Sequence, residues 1–310
     1  TYLPPKILTN KDLEKMVDTS DEWITTRTGI KERRIAENNV TTSDMAAEAA
    51  KKAISSAGLK VADLDLIIVA TITPDMVFPS TACLVQKKIG ASKAACFDIS
   101  AACAGYVYAM AIAKQFIENG TYKNVLIIGA EKLSSVTDWK DRNTCVLFGD
   151  GAGAAVIGKV KRGGILATYL ASDGGKSELL YLPGGGSLNP ASHKTVDDRL
   201  HYIKMSGSEL FKIAVKVMAD AGNKVFAMSG HTCKDIACII PHQANIRILL
   251  AVAKMMKLPK EKIFLNIEKY GNMSSASSAV AFAEAMTERK FKKGDLIVLD
   301  AFGGGLAWGA

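Results

Sequence analysis

Short aliphatic runs alternate along this chain with longer stretches in which apolar positions recur every three or four residues. Residues 64–70, 94–99, 123–129, 236–240 and 295–299 are strand-like: they are short, apolar and rich in β-branched side chains, as in Leu66-Ile67-Ile68-Val69. Such runs read as strands buried on both faces. Helical spacing predicts helices over 43–57, 103–117, 209–221, 243–256 and 275–287. The alternation places the chain in the α/β class, with largely parallel sheets. Residues 173–198 carry Gly, Pro, Ser and Asn instead of a periodic pattern. They read as a long loop near the middle of the chain, facing a substrate.

The two halves resemble each other. The run 63–69 has a counterpart in 233–240, and 113–127 has one in 284–298. In that register Cys103 falls opposite Ser274. A duplicated α/β unit follows, divided at about 1–165 and 166–310, with two equivalent helix N-termini converging on one site.

With 310 residues, 48% of them hydrophobic, the chain can bury one large core or two smaller ones. No apolar run approaches the ~20 residues of a membrane span, and residues 1–6 lack the pattern of a signal peptide. The six cysteines are scattered, with no CxxC pair, so neither a zinc site nor a redox motif is indicated and reduced thiols are expected. The net charge of +8 is diffuse. Without a dense basic run it does not point to nucleic acid, but it suits an anionic ligand or an acidic protein partner.

Candidate chemistry begins at Cys103, in Asp98-Ile99-Ser100-Ala101-Ala102-Cys103-Ala104-Gly105. A strand ends there and a helix begins, so the thiol is expected at a helix N-terminus. The dipole there favours an anion, which predicts a lowered pKa and a thiolate nucleophile. The competing reading is an inert buried cysteine. His242 follows the strand 236–240 directly, at the strand end where α/β folds place ligands. A satisfied core histidine is its competing reading, and an ordinary N-cap that of Asn272, among the small hydroxyl residues of Gly271-Asn272-Met273-Ser274-Ser275. Gly303-Gly304-Gly305 follows a strand and offers either a tight turn or close backbone approach to a ligand. Together a thiol, an imidazole, a carboxamide and free N–H groups could attack a thioester, hold its oxyanion and stabilise an enolate formed by loss of CO2.

These segments, with Asp21-Glu22-Trp23-Ile24, Phe78-Pro79-Ser80-Thr81, Phe148-Gly149-Asp150-Gly151 and Pro241-His242-Gln243-Ala244-Asn245, resemble the β-ketoacyl-acyl carrier protein synthase III family over the whole chain. The resemblance implies a thiolase-like fold, two duplicated halves in a five-layered αβαβα sandwich, and a homodimer. It implies condensation of acetyl-coenzyme A with malonyl-acyl carrier protein, without a cofactor, starting fatty-acid synthesis. Cys103 would carry the acyl group, and His242 and Asn272 would stabilise the enolate. The N–H groups of Cys103 and Gly304 would form the oxyanion hole. Trp23 and Arg142 would sandwich the adenine of coenzyme A, with Thr19, Arg27, Gly207, Asn245 and Phe302 completing its site. Phe78 would close the acyl pocket of a partner subunit. Lys212, Arg247 and Lys254 would dock the acidic carrier protein.

Met273 departs from the family's usual Thr, and Ser208 from a common Asn. The family also has terminal strands before Tyr2 and beyond Ala310, so terminal residues are expected to be missing from this sequence. The resemblance implies a bacterial cytoplasmic enzyme, or one of a plastid stroma after removal of a transit segment. A same-fold enzyme using a branched or longer primer, or serving secondary metabolism, is the alternative. A non-catalytic carrier-binding protein is disfavoured by the intact Cys103, His242 and Asn272.

Overall fold

Two four-stranded sheets carry the architecture of the computed structural model, which describes residues 1–310. In the first sheet the order is Ala95–Ile99, Leu66–Ala70, Asn124–Lys132, Asp150–Gly158. In the second it is Ile236–Pro241, Leu296–Gly303, Ala307–Gly309, Leu170–Ser172. Three of the six strand pairings are antiparallel, which corrects the expectation of largely parallel sheets. Antiparallel neighbours need no crossover helix and leave no helical signal between them. The strand Asp150–Gly158 also lacks the β-branched run that marks the others, being mostly Gly and Ala.

Helices form the remaining three layers. Thr42–Ser56 covers the outer face of the first sheet, started by a capping box between Thr41 and Asp44. Gly207–Ser229 and Ile246–Met255 cover the outer face of the second. Gly105–Glu118 and Ser275–Glu288 lie between the sheets. The result is the expected αβαβα sandwich. Leu66, Ile67, Ile68 and Val69 are essentially without solvent contact, because helices cover both faces of their sheet. Each such side chain contributes about 1.5–3 kcal/mol on burial. No helix is long and apolar enough to cross a membrane.

The middle layer positions the site. Gly129 and Gly153 are partners across neighbouring strands. A Cβ on Gly129 would lie 2.5 Å from the Ser275 carbonyl oxygen, and one on Gly153 would lie 2.7 Å from Ala279. These two glycines leave a bare patch onto which Ser275–Glu288 seats. That fixes the height of the preceding turn, 271–274, above the sheet.

Several element boundaries move. The helix expected from Cys103 begins at Gly105, preceded by a 3₁₀ turn Ala102–Ala104 that contains the cysteine. The helix expected over 209–221 runs from Gly207 to Ser229, ending at Gly230 in the left-handed region. The segment 173–198 is not a structureless loop. It holds a 3₁₀ turn Gly174–Leu179, a strand Leu180–Tyr181 paired with Lys204–Met205, and a helix His193–Asp197 capped by Ser192.

Candidate active site

The Cys103 turn packs against elements of both halves. A Cβ on Gly303 would lie 2.5 Å from the Cys103 nitrogen and 3.0 Å from its Cβ. A Cβ on Gly105 would lie 2.9 Å from Ala70 and 3.5 Å from Ser275. The turn is thus pressed between the end of strand Leu296–Gly303 and the start of helix Ser275–Glu288. The N–H of Cys103 has no backbone acceptor, nor has that of Gly304, beyond the end of the same strand. Two unengaged N–H groups at one junction suit a developing oxyanion. Ala102 and Ser274 adopt φ of 44° and 48°, in the left-handed region. Each such residue costs about 1–3 kcal/mol and persists only where packing dictates it.

Asn272 is reached through that second strained residue. Its backbone is fixed on both sides, its N–H donating to Leu147 and its carbonyl accepting from Gly149. Its Oδ1 accepts from the Ser274 N–H at 2.8 Å, which turns Nδ2 outward as a donor. The N-cap position of the following helix belongs to Ser274, so Asn272 is not an ordinary cap. His242 sits one strand over, its N–H donating to the Asp300 carbonyl at 2.7 Å. Both ring nitrogens are buried and unpartnered. A satisfied core histidine would have spent at least one of them.

Burial sets the protonation states. It pushes the Cys103 thiol up to about 12, with the Glu131 charge adding to the rise and the nearby Ser274 hydroxyl opposing it. The expected lowered pKa is therefore corrected: the resting group is a neutral thiol, because desolvation outweighs the turn's N–H groups. Burial also lowers His242 to about 3, so its imidazole is neutral across the working range. Asp300 is wholly buried, neither carboxyl oxygen has a partner, and burial raises it well above the usual carboxylate range.

The other expected positions fall in three groups. Arg142 and Arg27 both stack on Trp23, with guanidinium carbons 4.7 and 5.4 Å from the ring centroid. The aromatic–arginine pair is together, but it is in contact with itself. The expected sandwich would need about 3.5 Å of clearance on each side of a base, more than the 4.7 Å separation leaves. Thr19 on the preceding turn has a buried hydroxyl with no partner. Asn245 caps the helix Ile246–Met255, and its Nδ2 donates to the Arg27 carbonyl at 3.0 Å. Gly207 starts its helix in the open, and Phe302 is buried in the core beside Leu306. Lys212, Arg247 and Lys254 are exposed on the two adjacent outer helices, with Arg247 over the Phe211 ring. Phe78 is 83% exposed. Asp300, whose carbonyl holds the His242 N–H, and Glu131, bound to the Ser275 hydroxyl, are neighbours that sequence reasoning missed, whereas the internal register already sets Ser274 opposite Cys103. Glu131 had a visible signal, a charge closing the apolar run 125–130 at the strand's C-terminal end.

Comparison with known proteins gives the same picture. The pattern of 3-oxoacyl-[acyl-carrier-protein] synthase III matches residues 97–174, and that of its C-terminal part matches 226–310. A β-ketoacyl-[acyl-carrier-protein] synthase III from Caldanaerobacter subterraneus is 60% identical over 99% of this chain and 93% of its own length. One from Clostridioides difficile is 56% identical over 100% of this chain and 94% of its own. The crystal structure of the synthase III from Aquifex aeolicus superposes with a TM-score of 0.92 at 53% identity, covering 99% of this chain and 95% of that one. Similarity of this extent, on a five-layer fold with a cysteine, a histidine and an asparagine at its centre, makes the chain a member of the 3-oxoacyl-[acyl-carrier-protein] synthase III family.

Proposed function

We propose that this protein catalyses the condensation that starts type II fatty-acid synthesis, with Cys103 as the acyl carrier. The observation that carries the assignment is the pair of unengaged N–H groups, Cys103 and Gly304, at the junction holding a buried thiol. Cys103 attacks the carbonyl of acetyl-coenzyme A, and the two N–H groups hold the tetrahedral oxyanion. Coenzyme A leaves as its thiol, carrying the proton that Cys103 gives up, and acetyl stays on Cys103. Malonyl-acyl carrier protein then enters. The electron pair of its C–COO⁻ bond passes into an enolate as CO2 departs. His242 and the Asn272 amide donate to that enolate oxygen. A neutral imidazole donor suits this step, because decarboxylation needs no base. The enolate carbon attacks the acetyl carbonyl and expels Cys103 as a thiolate, which takes a proton from solvent, giving acetoacetyl-acyl carrier protein.

Trp23, Arg27 and Arg142 take the adenine end of coenzyme A, and Thr19, Gly207, Asn245 and Phe302 line the path inward. Lys212, Arg247 and Lys254 dock the acidic carrier protein, a role their exposure on adjacent helices supports. The enzyme works as a homodimer in the bacterial cytoplasm, with Phe78 closing the partner's acyl pocket. Support for the dimer is the exposure of Val77 and Phe78, together with the edge strand Ala95–Ile99, which pairs on one side only. The two separate sheets support the division into halves 1–165 and 166–310. The thioesters are substrates and no cofactor takes part.

Mass spectrometry after incubation with acetyl-, isobutyryl- and octanoyl-coenzyme A tests the reading. One acetyl group on the Cys103 peptide, discharged by malonyl-acyl carrier protein, is the expected result. No acylation by any donor would overturn it, and preference for a branched or longer donor would reassign the primer.

A further inference from the structure

His242 and Asn272 lie thirty positions apart in sequence, on different elements, yet two donors to one enolate oxygen must hold a fixed spacing. Gln243, the neighbour of His242 in the Pro241-His242-Gln243-Ala244-Asn245 segment, has no role so far. It is 1% exposed, and its side-chain amide makes four hydrogen bonds. Nε2 donates to the Pro241 carbonyl at 2.7 Å and to the Phe264 carbonyl at 3.3 Å. Oε1 accepts from the N–H groups of Asn266 at 3.0 Å and Ile267 at 3.2 Å. Donors and acceptors match at both ends, so the amide has one orientation.

The backbone explains why a side chain is needed there. The segment 263–264 runs parallel to strand Ile236–Pro241, with Ile239 bridged to Ile263 and the Phe264 N–H donating to the Ile239 carbonyl at 2.9 Å. In a continued parallel ladder residue 241 would donate to the Phe264 carbonyl, and the Asn266 N–H would reach the Pro241 carbonyl. Proline has no N–H to give. The Gln243 amide stands in that gap and serves three of the groups the ladder would have joined: the carbonyls of Phe264 and Pro241 and the N–H of Asn266.

The same amide starts the helix Ile267–Tyr270. Asn266 occupies its N-cap position but makes no side-chain cap, because its Nδ2 donates to Glu284 at 2.9 Å. The cap comes from Gln243 instead. That helix leads directly to Asn272: the Gly271 N–H donates to the Ile267 carbonyl at 2.9 Å, and Gly271 turns the chain with φ of 63°. On the other side His242 is tied to the second sheet through Asp300. Gln243 is therefore a direct side-chain strap between the strand end that carries His242 and the helix that delivers Asn272.

We propose that Gln243 is a positioning residue that sets the spacing of His242 and Asn272 for malonyl decarboxylation, an inference that rests on the roles given to that pair above. It touches no substrate and acts only through the two donors. Cys103 is held by different contacts, against Gly303 and the start of helix Ser275–Glu288, so acetyl transfer does not depend on the strap.

The test measures the two half-reactions separately in Gln243→Met, which nearly keeps the size of the side chain and removes its amide. Mass spectrometry follows acetylation of Cys103 by acetyl-coenzyme A and counts the acetylated sites. Release of CO2 from malonyl-acyl carrier protein by the acetylated protein reports the second step. A misplacement near 1 Å is expected to slow CO2 release about 10²-fold per acetylated site, with the acetylation rate within about twofold of wild type. Spacing loses its meaning once one donor is gone, so Gln243→Met added to His242→Ala should slow CO2 release by a further factor under about 3. A residue that only supports the fold would slow both half-reactions together, or would multiply the His242→Ala loss in full, and either result overturns the proposal. So does CO2 release at the wild-type rate. Should Gln243→Met fail to fold, Gln243→Asn decides by the same ratio of half-reactions, since its amide is one methylene too short for the strap. If the wild-type protein takes no acetyl group on Cys103, it is the functional reading that fails, and the proposal falls with it.

Discussion

Gly303→Ala tests whether the Cys103 turn is held in place by contact with the second half of the chain. The added methyl would lie 2.5 Å from the Cys103 nitrogen, 3.0 Å from its Cβ and 3.1 Å from its Cα, whereas ordinary carbon contacts begin near 3.4 Å. Relief therefore needs a movement of about 0.9 Å, and the nearest atoms are the backbone of the proposed nucleophile, Cys103. Overpacking of this kind costs about 1–3 kcal/mol of stability. A misplacement near 1 Å costs about 10²-fold in rate, equivalent to about 2.7 kcal/mol of transition-state stabilisation. Single-turnover acetylation followed by mass spectrometry measures the second effect, and thermal unfolding the first. Gly174→Ala is the control, because a Cβ there meets nothing within 4 Å. The expected result is a slow, folded Gly303→Ala protein with a Tm several degrees lower, beside an unaffected control. Acetylation at the wild-type rate with an unchanged Tm would refute the claim that this contact positions the thiol.

His242→Ala should retain acetyl transfer and lose malonyl decarboxylation by about 10²-fold or more, in line with loss of one oxyanion donor; equal loss in both half-reactions, measured separately, would remove the assigned role. Because His242 titrates near 3, the decarboxylation half-reaction should show no histidine limb between pH 5 and 8, which a pH–rate profile checks. Asp300→Asn should stabilise the protein at pH 8. The folded pKa is raised above the unfolded one, so the native state holds a proton that the unfolded state gives up as pH rises, and stability falls by up to about 1.4 kcal/mol per pH unit in that window. Urea unfolding at pH 5 and pH 8 should show the variant's advantage growing with pH; an advantage greater at pH 5 would contradict the sign. Arg247→Glu should raise KM for malonyl-acyl carrier protein severalfold while leaving acetyl-coenzyme A acylation nearly unchanged, and steady-state kinetics with each substrate decides.

The apolar runs and their helical spacing were enough to announce an α/β chain built from two similar halves, because burial on both faces writes a continuous signature into a strand. Cys103, His242 and Asn272 were legible as candidates for a related reason: each interrupts a pattern at the end of an element. Other features depend on partners far away in sequence. Gly129 and Gly153 look like weak strand residues until Ser275–Glu288 is laid across them. Arg142 is remote from Trp23 in the chain, and only the fold stacks one on the other. The protonation of Cys103 went the other way from the local expectation. A turn's free N–H groups are a local property and can be read from neighbouring residues. Desolvation is set by every layer packed above and below, and here it decides the outcome. The sequence by itself therefore determined which residues are the candidates for the chemistry. The tertiary structure determined their charge states and pressed the Cys103 turn between the strand ending at Gly303 and the helix starting at Ser275, because burial and long-range contact exist only once the two halves have closed on each other.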